Sequence, residues 1–79
     1  MAKVAYLRYF LYDAPTGTYY GGRIGGEHTF TEDAYKAKLF RSWDDADLRR
    51  KIVERKTKRR LAIGVTTDRK DWNENESST

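Results

Sequence analysis

Apolar and aromatic residues cluster in two stretches of this chain, and each stretch has the pattern of a β-strand. From Val4 to Tyr12 every residue except Arg8 is apolar or aromatic, which is typical of a strand covered on both faces. Near the other end, over residues 60–67, apolar residues alternate with polar or small ones. This alternation predicts a second strand, with one apolar face formed by Leu61, Ile63 and Val65.

A turn and another strand follow the first one. Asp13, Pro15 and Gly17 supply turn chemistry, because Pro presets φ and Gly tolerates a positive φ. The strand pattern resumes at residues 18–20. We therefore predict a β-hairpin whose loop is somewhat longer than two residues.

Four glycines interrupt the pattern at residues 21–26. Such a run could cradle a phosphate, or the strand could bulge there and end in a turn. A phosphate loop needs a helix directly after it, with a Lys-Ser or Lys-Thr pair at fixed spacing, and residues 28–31 do not provide one. We therefore expect the bulge and turn, and we expect His28 to be a solvated loop residue.

The one long helix is predicted to begin directly after Ser42. Ser is a favoured N-cap residue, and Asp45 three positions later approximates a capping box. Acidic residues in the first turn and basic residues near the end suit the helix dipole. We predict a short turn within residues 32–37 and a helix from Trp43 to about Lys56. Residues 38–40 are expected to form either a brief strand or an extended segment that holds Leu39 and Phe40 in the core.

These elements predict an α+β fold: a small antiparallel sheet of three to four strands, in the order β-β-(β)-α-β, packed by one helix. A chain of 79 residues provides one domain. We assign residues 1–70 to this domain. Residues 71–79 are polar apart from Trp72 and are expected to form a disordered tail.

Several short motifs resemble a family of short uncharacterised bacteriophage proteins. The motifs are Thr16-Gly17, an aromatic pair before glycines at residues 19–22, and Ala-Lys-Leu-Phe-Arg-Ser at residues 37–42. The resemblance covers roughly residues 4 to 67 and implies the fold and a phage context. Small phage proteins are often host-takeover or counter-defence factors. Because the motifs consist of core, turn and cap residues, the resemblance transfers no catalytic residue.

The residue types needed for most catalytic sites are scarce. The chain has no Cys and one His, so a Cys-His or Ser-His pair would depend on His28 alone. Acidic residues at positions 44, 45 and 47 are expected for the helix dipole and not as a metal site. We expect no enzyme activity, no metal, no cofactor and no small-molecule substrate.

The absence of Cys also fits a reducing compartment. The sequence has no apolar run of the ~18 residues that a membrane span needs and no signal-peptide pattern. We expect a cytoplasmic protein without membrane contact, in the host cytoplasm if the phage context is right. Either a monomer or a homodimer is compatible with the sequence.

Positive charge is concentrated in one segment. The chain carries a formal net charge of +4, and residues 49–60 contain eight basic residues and one acidic residue. Such a local field favours an anionic partner. Nucleic acid (DNA or RNA) is the first candidate, because clustered Lys and Arg bind phosphates. The alternative is a host protein with an acidic surface that this chain binds and inhibits.

Helical spacing separates basic residues with an internal partner from those without one. Pairs at i and i+4 are expected for Asp45–Arg49, Asp47–Lys51 and Glu54–Lys58. On the same helix, Leu48 and Ile52 lie together and are expected to point toward the sheet. The residues predicted to bind the anionic partner are Arg50, Arg55, Lys56, Arg59 and Arg60, with Arg49 and Lys58 beside them. Tyr19, Tyr20 and Arg23 could add a stacking platform, although adjacent strand residues point to opposite faces.

Overall fold

The computed structural model describes residues 6–68, which form a four-stranded antiparallel sheet and one α-helix. The strands are β1 (Leu7–Asp13), β2 (Thr18–Ile24), β3 (Glu27–Thr31) and β4 (Ala62–Thr67). A 3₁₀ turn (Ala34–Lys36) and helix α1 (Trp43–Thr57) connect β3 to β4. The sheet order is β3-β2-β1-β4, which confirms the predicted α+β fold. The predicted strand start at Val4 and the predicted tail at residues 71–79 lie outside the described residues.

The predicted hairpin is formed by β1 and β2. Tyr12 pairs with Tyr19, and Asp13 pairs with Thr18. The N–H of Gly17 donates to the carbonyl of Asp13 across the turn at 2.8 Å. Gly17 has φ +69°, a conformation that side chains with a Cβ adopt only at a cost, so glycine is the residue that this turn requires.

The glycine-rich run belongs to β2 and to the turn after it. Pairing between β2 and β3 is shifted between Tyr20 and Gly22, and the chain turns at residues 25–26. The predicted bulge and turn are confirmed. The prediction that His28 lies in a solvated loop is wrong, because residues 27–31 form β3. The Nδ1 atom of His28 is 2.9 Å from the Tyr20 hydroxyl, so the interaction between the two strands positions the ring.

Residues 38–40 fill a gap in the sheet, because β1 and β2 separate beyond their hairpin. The Phe40 N–H donates to the Tyr9 carbonyl (2.7 Å) and the Tyr9 N–H donates to the Phe40 carbonyl (2.9 Å). On the other side, the Lys38 N–H donates to the Tyr20 carbonyl (2.8 Å). The predicted extended segment is confirmed, and it joins the two strands while Phe40 enters the core. Leu39, which was also expected in the core, is only half-buried and lines a depression with Phe10 and Tyr19 instead.

Helix α1 begins where the capping residue predicts. The Ser42 hydroxyl accepts from the Asp45 N–H at 3.1 Å, and Trp43 is the first helical residue. Val53 and Ala46 are fully buried against the sheet, whereas Leu48 is 63% exposed and Ile52 is 43% exposed. The expectation that Leu48 and Ile52 face the sheet is therefore wrong. The reason is that Ala46 and Val53, seven residues apart, already lie on one face and allow close approach.

The core lies between α1 and one face of the sheet. Its buried residues are Leu11, Tyr20, Phe40, Ala46, Val53 and Leu61, and Tyr9, Phe30 and Ile63 pack around them. Of the predicted apolar face of β4, Leu61 is buried but Val65 is 58% exposed. The opposite face of the sheet carries a second aromatic group, in which Tyr19 contacts Phe10 and Tyr12 with ring centroids 5.6 and 5.1 Å apart.

Candidate binding site on the flank of the helix

Arg50 is held by intrahelical ion pairs, whereas it was expected to have no partner within the helix. Its Nε donates to Asp47 at 3.1 Å and its Nη1 donates to Glu54 at 3.2 Å. The hydrogen bond from Arg50 is the largest cause that lowers the pKa of the Asp47 carboxyl below its usual 3.8. Lys51 also pairs with Asp47 at 3.3 Å, which confirms that predicted pair.

The predicted Glu54–Lys58 pair is not formed, because the chain leaves the helix at Lys58. Lys58 caps α1 in a left-handed conformation with φ +61°. The second carboxylate oxygen of Glu54 instead accepts from the Leu61 N–H at 2.7 Å. Glu54 therefore connects α1 to the start of β4.

Arg59 is a structural residue, although it was predicted to bind the partner. Its Nη1 donates to the Asp13 carboxylate at 2.6 Å, and its guanidinium lies 4.2 Å from the centre of the Phe30 ring. Asp13 is 4% exposed and also accepts from the Thr16 hydroxyl at 2.9 Å. Arg59 thus ties the end of the helix to the β1–β2 turn and to β3.

The other predicted cations lie on the surface without a carboxylate partner. Among residues 6–68, no ion pair within 4 Å involves these side chains: Arg49, Arg55, Lys56, Lys58 and Arg60. The predicted Asp45–Arg49 pair is accordingly not formed. Of these five residues, Arg55, Lys56, Lys58 and Arg60 are exposed and Arg49 is half-buried. Lys51 is exposed as well, although it pairs with Asp47.

The pKa of His28 reflects the positive charges that lie around β3. Partial burial is the largest cause that lowers the pKa of His28 below its usual 6.5. The positive charges of Arg23, Arg49 and Lys56 lower the pKa further, and Glu27 opposes them. Arg23 comes from β2, while Arg49 and Lys56 come from α1, so two elements bring cations to the same place. Arg23 is exposed and its guanidinium also donates to the Gly26 carbonyl at 3.2 Å.

Two shallow depressions lie along this flank of α1, and we call them together the basic trough. Residues 45, 49, 52 and 56 follow spacings of four, three and four, which place them on one side of a helix. One depression is lined by Lys38, Phe40, Asp45, Leu48, Arg49 and Ile52. The other is lined by Gly26, Glu27, His28, Lys56 and Thr57. The basic trough therefore combines cations with exposed apolar side chains and two carboxylates.

The predicted stacking platform does not form beside the basic trough. Tyr20 is 1% exposed and belongs to the core, while Tyr19 lies on the opposite face with Phe10 and Tyr12. Adjacent strand residues point to opposite faces, so Tyr19 and Tyr20 cannot serve the same surface. Only Arg23 of the predicted platform lies near the cations of α1.

Of the residues that line the basic trough, only Arg49 and Lys56 were predicted as binding residues. Those missed include Lys38, His28, Leu48 and Ile52. The signal for Leu48 and Ile52 was present, because Arg49, Ile52 and Lys56 share one helical flank. His28 and Lys38 had no such signal. His28 reaches the basic trough through the β2–β3 hairpin, which was expected to be a loop. Lys38 reaches it through the long-range contact of its N–H with the Tyr20 carbonyl.

No family model, curated protein or solved structure matches this chain. Within residues 6–68, no group of three or more His, Cys, Asp or Glu residues is arranged to hold a metal ion. The helices in that part of the chain are too short or too polar to cross a bilayer.

Proposed function

We propose that this protein is a non-enzymatic binding domain whose basic trough docks an acidic segment of another protein. The observation that carries the proposal is the position of Leu48 and Ile52. Both are exposed apolar side chains, and both line a depression together with Arg49 and Lys38. A segment with carboxylates and apolar side chains would form ion pairs with the cations and would cover the apolar side chains. The phage resemblance would make the partner a host protein.

The apolar residues are expected to supply most of the affinity. Fully burying an exposed Leu or Ile side chain is worth about 1.5–3 kcal/mol, and Leu48 and Ile52 have 63% and 43% of their surface left to bury. An exposed ion pair is worth about 0.2–1 kcal/mol. Arg49 and Lys56 would therefore contribute more to the rate of association and to the selection of acidic partners than to the affinity.

Nucleic acid is the second candidate. It is favoured by the five cations of residues 49–60 that have no carboxylate partner among the described residues. It is disfavoured by the separation of Tyr19 from the basic trough, because single-strand binders combine cations with stacking rings. A nucleic acid bound here would be held by phosphate contacts alone, which carry no sequence information.

The only histidine of the chain allows a direct test. Nuclear magnetic resonance follows the His28 imidazole through a pH titration, first with the free protein and then with a synthetic peptide rich in Glu and Leu. Negative charge beside His28 favours the imidazolium, so binding in the basic trough raises the pKa of His28. A peptide that binds without changing the pKa of His28 binds elsewhere and contradicts the proposal.

Two variants separate the candidates, with an oligonucleotide as the second probe. Ile52→Ser should weaken peptide binding about tenfold through lost apolar burial, and it should leave binding of single-stranded DNA unchanged. The double variant Arg49→Ala, Lys56→Ala should weaken both probes, whereas Lys36→Ala removes an exposed charge outside the basic trough and serves as control. Binding of DNA that falls steeply with salt, with no binding of the peptide, would select the nucleic-acid candidate.

A further inference from the structure

The two edges of the sheet differ in how they are protected against pairing with a strand of another molecule. The β3 edge is short, carries Glu27 and His28, and follows the bulge at Gly22. The β4 edge has neither charge nor proline between Leu61 and Thr67, and its pairing with β1 is regular over six residues. Exposed strand edges are normally blocked by charges, bulges or proline. Within residues 6–68, the β4 edge has none of these.

Hydrogen bonding shows which backbone groups of β4 point outward. The Asp68 N–H donates to the Tyr6 carbonyl at 2.9 Å, so this pair and alternate pairs along the ladder are hydrogen-bonded toward β1. The N–H and C=O of Ile63 and Val65 then point away from β1. Tyr9 agrees with this alternation, because its N–H and C=O point away from β4 and bond to Phe40.

We propose that β4 pairs with β4 of a second copy of this chain, antiparallel, about a twofold axis at Gly64. Ile63 then lies opposite Val65 of the partner subunit, and the outward N–H and C=O groups of these two residues form hydrogen bonds across the interface. The N–H of Leu61 remains bonded to Glu54. A symmetric interface of this kind is closed, so it yields a dimer and not a fibre. The inference does not depend on what the basic trough binds.

Two features favour this register. Val65 is 58% exposed and would be covered by a β-branched side chain, which is a favourable cross-strand pair. Arg60, which is exposed and has no carboxylate partner among residues 6–68, would lie opposite Asp68 of the partner subunit, beside the ion pair that Asp68 forms with Arg8 at 3.0 Å. A shift of two residues would place Arg60 opposite Thr66 instead.

The dimer would hold its two basic troughs far apart. The sheet order is β3-β2-β1-β4, so pairing through β4 gives a continuous eight-stranded sheet with a β3 edge at each end. The cations around His28 lie beside β3, and their mutual repulsion across the dimer would be weak because of distance and screening. Two troughs on one particle would also increase avidity for a partner with repeated acidic segments.

Sedimentation velocity of the full chain over a concentration series tests the proposal. The expected result is a reversible monomer–dimer equilibrium. Val65→Lys places a charge on the β4 edge, and the loss of two symmetric cross-strand pairs should raise the dimer Kd by about tenfold or more. Trp43→Lys makes the same kind of change at the start of α1, where Trp43 is 50% exposed and outside the basic trough, and should leave the dimer Kd unchanged.

Circular dichroism checks that each variant is folded. Arg60→Asp is the second test variant, because it lies outside the strand and its side chain is exposed. It should also raise the dimer Kd, since it places two acidic residues opposite each other. A wild-type chain that is monomeric at every concentration overturns the proposal. So does a dimer that persists unchanged in both Val65→Lys and Arg60→Asp.

Discussion

Replacing Arg59 with Ala should destabilise the fold. Arg59 joins three elements, because its guanidinium donates to Asp13 at the end of β1 and lies on the Phe30 ring of β3. Asp13 is 4% exposed, so its carboxylate would lose a charged partner without gaining full solvation. We therefore predict that the free energy of unfolding falls in Arg59→Ala.

The structure sets the expected size of this loss. Removing one partner of a fully buried ion pair costs about 3–5 kcal/mol. The Arg59 side chain is 38% exposed, and Asp13 keeps the hydrogen bond from Thr16, so a charged hydrogen bond of roughly 1.5–2 kcal/mol is the better measure. Loss of the contact with Phe30 adds about 0.5–1 kcal/mol. The total of roughly 2–3 kcal/mol corresponds to a Tm lower by about 10–20 °C in a chain of this size.

Thermal and urea denaturation followed by circular dichroism measure the effect. Arg55→Ala is the matched control, because Arg55 is exposed and has no carboxylate partner among residues 6–68, and its change should stay within about 0.5 kcal/mol. The variants Asp13→Asn and Asp13→Asn with Arg59→Ala complete a double-mutant cycle, which should give a coupling energy above about 0.5 kcal/mol. If Arg59→Ala is as stable as Arg55→Ala, the structural role is refuted and Arg59 returns to the candidate binding residues.

Three further predictions follow from the backbone, from the packing and from the charges around His28. Lys58→Gly should raise the free energy of unfolding by about 1 kcal/mol in urea titrations, because Lys58 has φ +61°; a loss of stability would mean that the Lys58 side chain makes an important contact. Gly64→Ala should lower the free energy of unfolding by roughly 1–3 kcal/mol, because a Cβ there would clash with the Phe10 ring; adding Phe10→Ala should remove most of this penalty, and an unchanged penalty would contradict the clash. The lowered pKa of His28 should make stability complete above pH 6.5 and reduce it as the pH falls through the folded-state pKa, since the unfolded chain binds the proton more readily. His28→Asn should remove that part of the pH dependence, and identical slopes for both proteins would contradict the prediction.

Local interactions could be predicted from the sequence. The Ser42 cap bonds to the N–H of Asp45 three residues away, and the turn after β1 closes between Asp13 and Gly17. Such interactions depend on a few neighbouring residues and on backbone preferences, so residue type and spacing are sufficient evidence for them. The concentration of basic residues in residues 49–60 was equally clear. Helical spacing identified the Asp47–Lys51 pair, although it also predicted an Asp45–Arg49 pair that is not formed.

Long-range contacts could not be predicted in this way. Asp13 and Arg59 are 46 residues apart, and Glu54 was expected to bind Lys58 but binds Leu61 because the chain leaves the helix there. Packing of α1 against the sheet buries Ala46 and Val53 and leaves Leu48 and Ile52 exposed. The sequence by itself determined that the protein is a small α+β domain with a concentrated positive charge. Tertiary structure decided which of those charges remain accessible, because folding brings each side chain close to partners that are distant in the sequence.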